Sequence, residues 1–192
     1  SFGQNNQARF RIYRDVGQLN FGDFSSAAAI ADSLISGGNP NLRPQTSWIA
    51  EAGTDFRFPG GAALSLTLSH AQLTDVADLV PIVEPNPSQD PLDPNDDFFR
   101  YDGPGNIGDG EITRLNVNFS TPLSFIPGGR LTIEGYLRDT EVTDPVTGQS
   151  RIISFAPESQ FDINFRQDIT DWKFAWGISV SRQGELQAYR FN

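Results

Sequence analysis

The sequence predicts an all-β fold: an antiparallel up-and-down transmembrane β-barrel segment of about eight strands. Three observations predict it. Apolar and polar residues alternate at period two along nearly the whole chain. The alternating segments reach the ~9–11 residues a tilted strand needs to cross a bilayer and exceed the ~5–6 of an ordinary soluble strand. Short and long connections also alternate, which places tight turns at one end of the meander and extended loops at the other.

Strands are predicted near 8–16, 47–58, 62–76, 111–121, 130–142, 151–168, 172–182 and 188–192, all within one partial barrel domain spanning 1–192. In the first, Phe10 and Ile12 face away from Arg9, Arg11 and Tyr13. In 47–58, Trp48, Ala50, Ala52, Thr54 and Phe56 share one face, while Glu51, Asp55 and Arg57 share the other with Ile49. Leu64, Leu66, Leu68 and His70 then alternate with Ser65, Thr67 and Ser69. Leu115, Val117 and Phe119 alternate with Arg114, Asn116 and Asn118, and Leu131, Ile133 and Leu137 with Glu134, Tyr136 and Arg138. Phe161, Ile163 and Phe165 oppose Asp162, Asn164 and Arg166, and Trp172, Phe174, Trp176, Ile178 and Val180 oppose Lys173, Ala175, Gly177 and Ser179. A final strand is expected to start near Ala188.

Pro59-Gly60-Gly61, the link 122–129 and Ile169-Thr170-Asp171 are the short connections. The stretches 17–46 and 77–110 are expected to be long extracellular loops. Within the first, SSAAAIADSLI at 25–35 is rich in helix formers and ends at Gly37-Gly38, which predicts a short helix or irregular turn. Phe56, Phe58, Trp48 and Trp172 fall near strand ends, as interfacial girdles require. A soluble sandwich with one buried face produces the same alternation. Strand length and loop parity favour the membrane reading over it.

Composition narrows the function. With 24 acidic against 14 basic residues and a net charge of −10, a basic face for nonspecific nucleic-acid binding is not expected. There is no Cys and a single His, His70, read as an interfacial side chain, so no catalytic residue, resident metal or cofactor is expected. The loop 77–110 carries many acids. Its run Asp93-Pro94-Asn95-Asp96-Asp97 offers hard oxygens of the kind calcium takes, against the simpler reading of a solvated acidic loop. Asp93, Asp96, Asp97, Phe98 and Tyr101 are the candidate loop contacts. Glu51, Asp55, Arg57, Arg114, Asn116, Glu134, Tyr136 and Arg138 are the candidate lumen-facing contacts, against the alternative that such charges merely pair across strands.

Residues 38–58, GNPNLRPQTSWIAEAGTDFRF, resemble the stretch G-N-P-x-L-x-P-E-x-[ST]-x-x-x-E-x-G of TonB-dependent outer-membrane receptors. The matching positions are Gly38, Asn39, Pro40, Leu42, Pro44, Ser47, Glu51 and Gly53, with Gln45 in place of the usual Glu. Gly105-Asn106-Ile107-Gly108 followed by Gly110-Glu111-Ile112 is similar to a re-entry strand of the same family, and Thr121-Pro122-Leu123 to a periplasmic turn. The resemblance implies a barrel of about 22 strands closed around a plug domain, of which this chain is expected to be one part.

It further implies a Gram-negative outer-membrane location and no enzymatic activity. The function implied is the wall of a receptor importing a scarce, bulky nutrient, most often a ferric siderophore. The partners it implies are outer-membrane lipid, the plug of the same parent chain, the TonB system acting through that plug, and the extracellular ligand. The lumen-facing residues would then meet substrate or plug. Two other readings are a small self-contained outer-membrane barrel and a secreted soluble β-sheet binding protein with Trp stacking platforms. The length of the parent reading frame separates them.

Overall fold

The computed structural model describes residues 6–19, 27–29, 34–36, 39–85 and 98–190. In chain order the strands are β1 (Gln7–Val16), β2 (Ala27–Ala29), β3 (Leu34–Ser36), β4 (Thr46–Arg57), β5 (Ala63–Thr74) and β6 (Ala77–Pro85). There follow β7 (Phe98–Asn106), β8 (Gly110–Leu123), β9 (Gly129–Thr143), β10 (Ser150–Arg151), β11 (Ser159–Ile169) and β12 (Phe174–Gln183). One antiparallel meander runs β1-β4-β5-β8-β9-β11-β12, with the short β10 added to β9. β2 pairs with β3, and β6 with β7. Among the described residues no helix is long and apolar enough to cross a membrane, which says nothing of a strand-built barrel.

Four expectations are corrected. The helix expected at 25–35 is absent where that segment is described: Ala27–Ala29 and Leu34–Ser36 are extended and paired. An isolated helix shorter than ~12–15 residues is marginal, so cross-strand pairing overrides the alanines. The loop 77–110 contains the hairpin β6–β7. The strand expected over 151–168 begins only at Ser159, because residues 152–158 leave the ladder to pack over the sheet end. Residues 184–190 carry no strand. They bond instead to the start of β11, through Gly184 N–H to Ser159 O, and to the loop before it, through Phe155 N–H to Gln187 O and Tyr189 N–H to Ser154 Oγ.

Period-two alternation and the ladder together sort the side chains. Phe10, Ala52, Leu68, Leu115 and Leu137 fall in one hydrogen-bonded row across five strands. Phe56, Leu64, Phe119, Ile133, Ile163 and Val180 form another. These rows are the outer face, and many of its members are exposed in the chain alone. Nearer the long connections the outer face turns polar, with His70 Nδ1 3.0 Å from Thr113 Oγ1. At the other end the turns are tight. Gly60 and Gly61 both have φ +86°, a region closed to most side chains, and Phe58 N–H bonds Ala62 O at 2.8 Å.

The inner face is polar along most of its height but apolar at the long-connection end. There Ala71, Leu73 and Val142 are buried, with Ile49 and Ile112 beside them. Val76, Val80 and Ile107 of the β6–β7 hairpin and Ile153 of the 152–158 loop pack onto them. The hairpin stem therefore lies on the inner side of the sheet.

Two polar joints fix it there. Asn106 receives the Arg43 N–H on Oδ1 at 2.8 Å and donates from Nδ2 to the carbonyls of Arg43 and Asp75. Asn39 Nδ2 donates to Pro104 O at 3.1 Å, while its Oδ1 caps the turn at Asn41. The two motifs singled out in the sequence thus dock on each other.

The second joint is buried. Arg151 donates from Nε to Asp144 Oδ2 and from Nη1 to Asp78 Oδ2, both at 2.8 Å, and lies 4.6 Å from the Tyr189 ring centre. The side chains of Arg151, Asp78 and Asp144 are 4%, 2% and 7% exposed. The same Asp78 oxygen accepts the Ser154 N–H, so one arginine ties the hairpin, the β9–β10 turn and the 152–158 loop together.

The Thr147 N–H bond holds the Asp144 carboxyl at a pKa of about 2, helped by Arg151 and the Val146 N–H against the opposing effect of burial. A pKa depressed on folding stabilises above the unfolded value of ~3.9 and ceases to do so as pH falls through the folded value. The clasp should therefore stay closed through mild acid and loosen as pH approaches 2. Amide hydrogen exchange at Val146 and Thr147, whose N–H groups bond Asp144, reads this in the full-length protein, and Asp144→Asn should remove the dependence. Arg151→Met strands two buried carboxylates and should cost about 3–5 kcal/mol. On the outer face, Leu66→Arg or Trp176→Arg should destabilise the barrel by ~2–4 kcal/mol in a folding titration from membranes. Ala175→Arg, on the opposite face, should cost far less.

Candidate functional site

The inner wall of the meander collects the polar side chains in rows one strand-pair deep. The row nearest the apolar end reads Arg11, Glu51, Ser69, Arg114, Arg138. The next reads Arg9, Gly53, Thr67, Asn116, Tyr136, Gln160, Gln183. A third reads Gln7, Asp55, Ser65, Asn118, Glu134, Asp162, Ser181. The wall is thus basic toward the long connections at β8–β9, amide and hydroxyl in the middle, and acidic below.

Part of this charge is satisfied within the wall. Arg11 clamps Glu51 with two bonds, Nε to Oε1 at 3.0 Å and Nη2 to Oε2 at 2.8 Å. The bidentate fork matches the carboxylate plane, which favours arginine over lysine here. Arg9 bonds Asp55 Oδ2 at 2.7 Å and Thr67 Oγ1 at 3.0 Å. To do so its guanidinium crosses the face of Gly53, where a Cβ would stand 2.8 Å from the Arg9 side chain. The glycine of the E-x-G motif is therefore the gap through which Arg9 reaches its partners. Glu51 and Asp55, both expected to be contacts, are neutralised by strand β1.

The remainder is different. Arg114 lies over the Tyr136 ring at 3.9 Å from its centre, and Arg138 approaches the same ring at 5.3 Å. Arg138 donates from Nε and Nη2 to Pro157 O, at 3.1 and 2.8 Å. Arg114 Nε is buried without a hydrogen-bond partner. Below them Glu134 Oε1 accepts from Asn118 Nδ2 at 3.1 Å, and Asp162 accepts from Ser181 Oγ.

Arg114, Asn116, Glu134 and Tyr136 line one cavity of about 360 Å3, with Ser65, Thr67, Asn118, Gln160 and Asp162. Arg138 stands beside it through the Tyr136 ring, whereas Arg57 lies apart at the last pair before the Pro59-Gly60-Gly61 turn. Thr67, Asn118, Gln160 and Asp162 are not among the candidates from sequence: alternation puts them on the polar face, but only the register between strands brings them to one cavity. Asp78, Asp144 and Arg151 escaped because nothing local marks them as partners.

Of the candidate loop contacts, Asp93, Asp96 and Asp97 lie outside the described residues, as does the calcium run they belong to. Phe98, half exposed, opens β7, and Tyr101 faces Ile82 across the hairpin. Among the described residues no cluster of three or more His, Asp or Glu could hold a metal ion.

Comparison with known proteins places this geometry. A family model described as "TonB dependent receptor-like, beta-barrel" matches residues 8–192. The crystal structure of the siderophore receptor PirA from Acinetobacter baumannii matches with a TM-score of 0.59 and 15% sequence identity, over 99% of this chain. The chain spans 28% of that receptor's length. No curated protein matches. Family members are non-enzymatic transporters of the Gram-negative outer membrane. With the strand meander, the polar inner wall and the apolar outer face in place, the chain belongs to the TonB-dependent receptor family, as part of its outer-membrane β-barrel.

Proposed function

We propose that this chain is a wall segment of a receptor that imports a ferric siderophore across the outer membrane, driven by the TonB system through a plug in the same parent chain. The observation that carries the reading is the two-faced sheet. A continuous apolar surface faces one way, and the rows holding Arg114, Asn116, Glu134 and Tyr136 face the other. An apolar outside with a hydrated inside is what a lipid-embedded, ligand-passing barrel requires. The choice of a siderophore as cargo is supported by the fold likeness to a siderophore receptor.

In this reading the wall residues Glu51, Asp55, Arg57, Arg114, Asn116, Glu134, Tyr136 and Arg138 line the path, and the long connections face the outside. Asp93, Asp96, Asp97, Phe98 and Tyr101 would then meet arriving ligand. The wall itself carries out no chemistry. It supplies a rigid, water-lined enclosure whose fixed charges orient whatever moves through it.

The test uses the full-length parent receptor in cells lacking other iron-uptake receptors. Uptake of radiolabelled ferric siderophores should appear with the receptor and vanish when TonB is deleted. Uptake that persists without TonB, or none across a siderophore panel, rejects the reading. In the same cells an epitope inserted at Gly148 should bind external antibody, and one at Gly60 should not.

A further inference from the structure

We propose that Arg114 and Arg138 together form the wall's seat for a carboxylate carried by the plug of the parent chain. The proposal rests on the receptor reading above and narrows it to one contact. Arg114 and Arg138 are direct cross-strand partners on β8 and β9. Like charges placed opposite one another destabilise a sheet unless something offsets them. The other inner-wall arginines on β1 have an offset within the wall, Arg9 with Asp55 and Arg11 with Glu51. Among the described residues no carboxylate forms an ion pair with Arg114 or Arg138.

What the pair has instead is incomplete. The shared Tyr136 ring lies 3.9 and 5.3 Å from the two guanidiniums, a contact that leaves the positive charge in place. The Pro157 carbonyl takes two donors of Arg138, and the buried Nε of Arg114 has no partner. Two cations without a carboxylate partner among the described residues, beside a polar cavity of about 360 Å3, suit a carboxylate. The hydroxyl and amide groups of Thr67, Asn116 and Gln160 line the same cavity. They suit the backbone on either side of an acidic residue.

Position selects the source. Immediately toward the long connections, the inner face is covered by the buried layer of Val142, Val76 and Ile107, with Ile112 packed against it. Arg151 fastens the hairpin that supplies part of that layer. A group reaching Arg114 therefore arrives from the lumen, where the plug sits in this reading, and not across the hairpin stem.

The experiment uses the full-length receptor in outer-membrane vesicles. Arg114→Gln with Arg138→Gln should make the plug protease-accessible about tenfold faster in urea, the scale of one charge-assisted hydrogen bond. The barrel should keep its heat-shifted gel mobility. Arg114→Lys with Arg138→Lys should recover most of the loss, because charge returns without the fork geometry. For Arg114→Glu, replacing one particular plug Asp or Glu by Lys should restore retention, and scanning the plug carboxylates identifies it. Arg166→Gln, which removes only an exposed pair with Asp168, is the control.

Unchanged plug release in the Gln double variant overturns the proposal. So does a fall in ferric-siderophore binding to whole cells with plug release unchanged, since the pair would then serve ligand. Should the double variant lose its gel shift, the single Arg114→Gln variant decides by the same readout. TonB-dependent uptake by the unaltered receptor, measured alongside, separates failure of this contact from failure of the receptor reading.

Discussion

The backbone ladder running from β1 to β12 is the constraint on which the rest of this wall depends. A strand's side chains alternate faces, so a slip of one residue between any two strands would send arginines into lipid and leucines into the lumen. The observed register avoids this at all six interfaces of the meander. It also does more than sort polarity. By setting Arg9 opposite Gly53 and Arg114 opposite Arg138, it decides which charges find partners inside the wall and which do not. The difference between a structural ion pair and a contact surface is here a matter of register, since the residue types are the same.

The end of the wall that carries the long connections obeys a second rule. There the inner face is dry, and the backbone of the hairpin and the 152–158 loop must satisfy its polar groups without the sheet. Side chains take over that role: Asn39 and Asn106 bond carbonyls and amides of the neighbouring segment, and Asp78 and Asp144 accept backbone N–H groups while sharing Arg151. Buried charge is tolerable only when each lone pair and proton is met in this way. The Nη2 of Arg151 is the exception, and the Tyr189 ring stands against that guanidinium. Leu42, in the same motif as Asn39, is buried, which completes an anchor of one apolar and two amide side chains.

Much of this was legible in the chain itself. The outer rows could be read from alternation alone, because Leu64, Leu66 and Leu68, or Phe174, Trp176 and Ile178, repeat the same signal on every strand. The inner rows were legible as a face but not as pairs, since pairing needs the register between strands distant in sequence. Ile49, Ala71 and Ile112 carried a hint that went unread: apolar residues on the polar face mark where the lumen gives way to a covered end. The Arg151 clasp could not be read at all. Arg151 and Asp78 are 73 residues apart, the one at the start of a predicted strand and the other in what looks like ordinary solvated loop. The alanine-rich run at 25–35 misled for the opposite reason, a strong local preference that tertiary pairing overrides.

The hydrogen-bonded rows are not level with the rim of the wall. In the acidic row Asp55 stands two residues from Arg57 at the last pair before its turn, Asn118 five from Leu123, and Asp162 seven from Ile169. That drift, near one residue per strand, is what strands tilted by ~35–45° produce. The polar rows therefore climb around the lumen as the thread of a screw climbs its shaft. A body gripped by such a thread and drawn straight along the axis would find each of its charges opposite a different row. Turned at the pitch of the thread, it would keep the same kind of neighbour throughout.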